Sequence, residues 1–236
     1  MSETLNMGLP LVQPSQAQKH VTVNEALVRL DALGQMVLAS RTVTTPPVTP
    51  VEGIAYIVPA GAVGDWTGAD GEIAIHVNGG WAMVTPQAGW RGWVSDEGTQ
   101  VAFDGVTWVA GLGAASANGA GTSVRVIEVD HTLTAGATSD TAPVIPAQSL
   151  VIGVTARVLT TITGAATGWR LGVAGSDDRY GTGLGLAAGS WARGLTGSPL
   201  AYYSDTALRL SGEGGDFASG DVRLAVHVME LALPRI

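Results

Sequence analysis

Asp221-Val-Arg-Leu-Ala-Val-His-Val-Met-Glu-Leu231 decides the fold. Val222, Leu224, Val226 and Val228 fall on one side of an extended chain; Arg223, His227 and Met229 fall on the other. That period of two marks a strand with one face buried. The same habit runs upstream, through Val124–His131, Leu150–Leu159, Gly168–Val173, Leu200–Ser204 and Ala207–Ser211. Period-two segments at short intervals with Gly-rich turns predict an antiparallel β-sandwich, jelly-roll-like, over residues 124–236.

Upstream lies Leu112-Gly-Ala-Ala-Ser-Ala-Asn-Gly-Ala-Gly-Thr-Ser123, small and Gly-rich, which reads as a flexible linker. Residues 51–111 read as a small β module. Gly71–Val77 runs through Asn78-Gly-Gly80 into Trp81–Val84, and Thr99–Phe103 through Asp104-Gly105 into Thr107–Val109. Asn-Gly and Asp-Gly supply the positive φ angles of type I′ hairpin turns. Five of the seven tryptophans (Trp66, Trp81, Trp90, Trp93, Trp108) fall here; large rings fill a core that a short module could not otherwise build.

Residues 1–50 comprise an arm, a helix and a connector. Gly8, Pro10 and Pro14 make residues 1–15 an extended arm, either docked on a larger particle or disordered. Gln16–Gly34 carries the strong helix signal. Thr22 and Glu25 have capping-box spacing, and Gly34 stands where a left-handed residue would end the helix. Val23, Ala26, Leu27, Leu30 and Leu33 form one apolar stripe, with Arg29 and Asp31 off it. So short a helix is marginal alone, so the stripe is expected to bury against its own strands or against copies of itself. Val23, Ala26, Leu30, Leu33 and Val37 fit an a/d seam, which predicts a homotrimer. Gln35–Val43 reads as a strand, and Thr44-Thr-Pro-Pro-Val-Thr-Pro50 as an extended connector.

Gly8–Leu27 with Leu30-Asp-Ala-Leu33, then Pro46–Val58 and Ala88-Gly-Trp-Arg-Gly-Trp-Val94, resemble the opening domain of phage-like proteins of alphaproteobacteria. These include tail-fibre and head-spike proteins of phages and gene transfer agents. The resemblance reaches about Trp108; the second half is more loosely similar to C-terminal domains of such fibres. It implies a place on a particle and a cell-surface receptor, with no enzymatic role.

Composition narrows the chemistry. The 236 residues include no cysteine, so there is no disulfide framework or thiolate site. A net charge of -8 argues against a basic nucleic-acid face. No segment suits membrane insertion, and the first residues do not read as a secretory signal. Export is expected with a particle or on lysis. A glycosidase needs two carboxylates held across a cleft. Asp96-Glu97, Asp177-Asp178 and Asp70/Glu72 are the candidates; neighbours on a strand point apart, and the first two pairs read as turns, the second also a candidate calcium turn. His20, His76, His131 and His227 are scattered, so no metal site or cofactor is expected.

Exposed rings beside polar groups are the better lead, because flat aromatics stack on pyranoses at low entropic cost. Trp90 and Trp93 flank Arg91. Trp169-Arg170, Arg179, Tyr180, Trp191, Arg193, Tyr202 and Tyr203 give the second domain its own set, most densely in a stretch from Arg179 to Ser204 expected to be loops. Core packing is the competing reading for each ring. Together these features suggest a non-enzymatic fibre or spike holding a cell-surface polysaccharide. A connector that touches no sugar is the alternative, and a capsule depolymerase the third.

Overall fold

The computed structural model describes residues 3–13 and 19–236; the expectations for residues 1–2 and 14–18 lie outside them. The protein is mainly β; of the described residues 53% are strand and 8% helix. It divides into two compact units, Met1–Leu112 and Gly113–Ile236.

In the first unit, α1 (Lys19–Gly34) starts ahead of the predicted capping box. Thr22 and Glu25 therefore lie within the helix, and Glu25 pairs with Arg29 one turn on, at 3.1 Å. Gly34 ends the helix without a left-handed φ. The predicted stripe is also on the wrong face. Val28, Asp31 and Ala32 are buried, whereas Val23, Ala26 and Leu30 are exposed and Leu33 is half-buried.

Asp31 is the reason. Its carboxylate accepts hydrogen bonds from the Thr4 hydroxyl (2.7 Å) and the Asn6 and Met7 amides (2.8 and 2.7 Å). A charge that periodicity assigns to water is thus buried under the folded-back arm. Asn24 takes the Val12 amide and donates to the Val12 carbonyl, acting as a strand edge would. The described arm, residues 3–13, is pinned to the helix rather than free.

The sheet of this unit comprises β1 (Val37–Leu38), β2 (Ala55–Ile57), β3 (Ile73–Val77), β4 (Gly80–Val84), β5 (Arg91–Val94), β6 (Thr99–Phe103) and β7 (Trp108–Ala110). Its spatial order is β4-β3-β2-β1-β5-β6-β7, with β1 parallel to both neighbours. Leu38, Ile73, Ile75, Val94 and Val101 pack with Val28 and Ala32. A second cluster gathers Tyr56, Trp66 and Trp81, with the two indole rings 5.0 Å apart. The Asn78-Gly79 turn has both φ angles positive (54° and 76°), as a type I′ turn requires. Asp104 does not follow. Only Gly105 is left-handed, and the Asp104 carboxylate instead accepts the Val106 and Thr107 amides across a four-residue loop.

The second unit opens where a linker was expected. β8 (Leu112–Ala115) lies beside β9 (Gly121–Thr132), so most of residues 112–123 is sheet. Small side chains look like linker composition but suit an edge strand equally well. There follow β10 (Thr138–Ile145), β11 (Ser149–Gly164), β12 (Gly168–Val173), β13 (Ser176–Leu184), β14 (Trp191–Tyr202), β15 (Thr206–Glu213) and β16 (Phe217–Ala232). One sheet has the order β14-β11-β16-β9-β8 and the other β10-β15-β12-β13. Strands β9 to β16 pass between the sheets as two Greek keys do, which makes the sandwich a jelly roll. Val222, Leu224, Val226 and Val228 all have no exposure and pack on Trp169, Leu171, Leu208 and Leu210. The stretch from Arg179 to Ser204, expected as loops, is mostly β13 and β14.

Candidate functional site

The outer face of the β14-β11-β16-β9 sheet collects the exposed chemistry of the second unit. On β14 the side chains alternate, Trp191, Arg193 and Leu195 outward and Ala192 and Gly194 inward. Pairing then sets the rows. Trp191 lies opposite Arg157, Arg157 opposite Arg223, and Arg223 opposite Asp130. The next row runs Arg193, Thr155, Ala225, Glu128, and the one after it Leu195, Gly153, His227, Val126.

The first two rows, Asp130 excepted, line a shallow hollow of about 490 Å³. Trp191 is 61% exposed, and the Arg193 guanidinium carbon sits 5.7 Å from its ring centroid, within cation–π range. Arg223 grips Asp130 with two bonds of 2.7 and 2.8 Å and reaches Glu128 at 3.6 Å. The hydrogen bond and charge of Asp130 hold the Arg223 guanidinium above its ordinary pKa, and Arg223 in turn holds Asp130 below the usual carboxylate range. Arg157 donates to the Gly189 carbonyl at 3.0 Å. An apolar hollow of about 380 Å³ continues along the same face, lined by Val124, Val126, Ile152 and Leu195.

The other predicted site residues part company. Tyr180 and Tyr202 are core: their hydroxyls meet at 2.6 Å between the sheets, and Arg179 donates to the Tyr202 oxygen at 2.9 Å. Burial, and then the bond to Tyr202, keep the Tyr180 hydroxyl protonated well above the usual phenol range. Trp169 is fully buried, its indole N–H donating to the Gly185 carbonyl. Tyr203 is 78% exposed but lies beyond the end of β14, away from the residues lining the Trp191 hollow. Trp90 packs against the first unit's core while Trp93 is 46% exposed. An odd spacing on a strand sends two rings to opposite faces, so these two make no common platform. Val37, expected in the helical seam, sits beyond the helix on β1 and pairs with Trp93.

Among the carboxylate candidates, Glu97 is held by Arg41 in two bonds of 2.7 and 2.8 Å. Glu72 accepts from Thr85, and Asp177 from Ser211 at 3.2 Å. Asp177 and Asp178 lie on β13 rather than in a turn. No three His, Cys, Asp or Glu residues converge as metal ligands among the described residues. No helix among them is long and apolar enough to cross a membrane.

Sequence reasoning missed Arg157, Thr155, Arg223 and Glu128. Each stands at an outward period-two position, but three different strands carry them, and only pairing brings them to Trp191.

Residues 23–109, less than half of the chain, match the family described as Protein of unknown function (DUF2793). A solved structure, the capsid asymmetric unit of cyanophage Pam1, is similar at 25% identity over 50% of this chain and 91% of that chain, with a TM-score of 0.37. A score that low does not establish a shared fold. No curated protein matches the chain.

Proposed function

We propose that this chain is a non-enzymatic tail fibre or spike of a phage-like particle, homotrimeric, which holds a cell-surface polysaccharide on the Trp191 face of its jelly roll. The observation that carries the reading is Trp191 itself. A large ring 61% exposed on a paired strand, with Arg193 over it, is a rigid stacking platform at low entropic cost. The place on a particle is supported by the resemblance of the first half of the chain to phage and gene-transfer-agent fibre and spike proteins. Jelly rolls serve capsid and lectin domains alike, which is an analogy of fold only. The particle contact falls to the pinned arm and helix, as a folded knob rather than a loose tail. The exposed stripe Val23, Ala26 and Leu30 supplies an apolar face for trimer contact.

A second reading, a connector that touches no sugar, is favoured by Val124, Val126 and Leu195, all about half or more exposed on the same face; covering such a face is what subunit contacts do. Trp191→Ala separates the two. The adhesive reading expects unchanged mass by light scattering, an unchanged Tm, and binding to capsulated cells weakened by about 1–3 kcal/mol, the cost seen on removing a stacking ring. A variant that dissociates, or whose Tm falls sharply, would put the ring in a subunit interface, and one that keeps its mass and binds capsulated cells at the parent's level would remove the sugar-stacking role from Trp191.

A further inference from the structure

The hollow beside Trp191 carries more positive charge than a neutral sugar needs. Most of the arginines are matched to carboxylates: Arg29 with Glu25, Arg41 with Glu97, Arg125 with Glu230, Arg170 with Glu213, Arg209 with Asp140, and Arg223 with Asp130. Among the described residues Arg157 and Arg193 form no ion pair. Arg157 spends one nitrogen on the Gly189 carbonyl. Arg193 rests over the indole and has no hydrogen-bond acceptor among the described residues. Both line the one hollow and stand on adjacent strands, Arg157 directly opposite Trp191. In a chain of net charge -8, two uncompensated guanidinium groups flanking an exposed ring are a local reversal of sign.

We infer that the polysaccharide held here is acidic, and that the unit recognised is a hexuronic acid stacked on Trp191 with its carboxylate between Arg157 and Arg193. This rests on the adhesive reading of the same face. The chemistry fits at each point. A pyranose presents an apolar C–H face to an indole. The carboxylate of a hexuronate is planar, and a guanidinium fork binds a planar carboxylate through two parallel bonds. Arg223 cannot serve in the same way, because Asp130 and Glu128 already hold it. Both carboxylates are carried by β9, with Glu128 lining the far side of the hollow, so they would repel an acid placed there and leave the β14–β11 side as the favoured seat.

The test uses the full chain and matched ligands. Oligomers of galacturonate, glucuronate and mannuronate are each compared with the same oligomer after reduction of its carboxyl groups, which yields the neutral sugar of the same shape. At least one acidic oligomer should bind about tenfold or more tighter than its reduced partner, the scale of a hydrogen bond to a charged group. That preference should shrink as salt rises. Arg157→Gln and Arg193→Gln should each remove most of it without changing the assembly mass. Equal binding of acid and reduced forms overturns the inference while the adhesive reading stands. No binding by any member overturns the inference, and the adhesive reading is then decided separately by binding to capsulated against acapsular cells. Loss of assembly in either arginine variant makes the pair an interface element and also overturns the inference.

Discussion

Asp31 shows how much one residue can hold. Its carboxylate is fully buried, which by itself would raise its pKa; the Asn6 amide, the Thr4 hydroxyl and the Met7 amide outweigh that and hold it below the ordinary value of 3.8. A depressed carboxylate pKa adds stability that is fully present above the unfolded value and is lost as pH falls through the folded one. The arm should therefore stay docked at neutral pH and loosen only below about pH 4. Amide exchange at Asn6 and Met7, followed against pH, reads this directly. Asp31→Ala should free the arm at every pH, at a cost of about 1–3 kcal/mol, and expose it to protease. Gly194 is the second such position. A Cβ there would overlap the Tyr180 carbonyl, where β13 passes close to β14. Gly194→Ala should lower stability by about 1–3 kcal/mol or more through overpacking, visible in a thermal melt. Because Trp191 and Arg193 project to the other side of β14, the sugar affinity proposed for that face should change little in the surviving folded protein.

At the scale of an element, α1 is the informative case. Two apolar faces compete along it at helical spacing, Val28 with Ala32 and Val23 with Ala26 and Leu30. The sheet takes the smaller pair, since small residues let the helix axis approach and the arm closes over Asp31 beside them. The larger stripe is left outward, with Leu30 58% exposed. Leu30→Asp therefore distinguishes a seam from a mere surface. Within one chain the change should move the melting point little, as surface substitutions do, within about 0.5 kcal/mol. In a trimer sealed by this stripe it buries unpaired carboxylates and should bring the mass in solution down to a monomer. A parent protein that is monomeric at tens of micromolar removes the trimer outright.

The whole molecule is two units with separate cores. Val28, Leu38, Ile75 and Val101 belong to one cluster and Val154, Trp169, Leu210 and Leu224 to another. Expressed apart, residues 1–112 and 113–236 should each keep a β-sheet circular dichroism signal and a cooperative melt. Loss of either in isolation would mean that the halves complete each other's cores. A nick within residues 116–120, between β8 and β9, should be slower than a flexible linker would allow, because the Ser116 carbonyl and hydroxyl tie down the Gly119 and Ala120 amides.

The alternation in Asp221–Leu231 and the Asn78-Gly79 turn were enough to determine strands, faces and one hairpin, because period and backbone sign are local properties. The jelly roll itself, the identity of Tyr180 and Tyr202 as core, and the burial of Asp31 were decided by tertiary structure. Each depends on which strand or arm lies across from the residue, and composition carries no record of that. Trp191 was legible as a ring among small residues. Its partners Arg157 and Arg223 were not, since strands separated by tens of residues must pair before three side chains share one face.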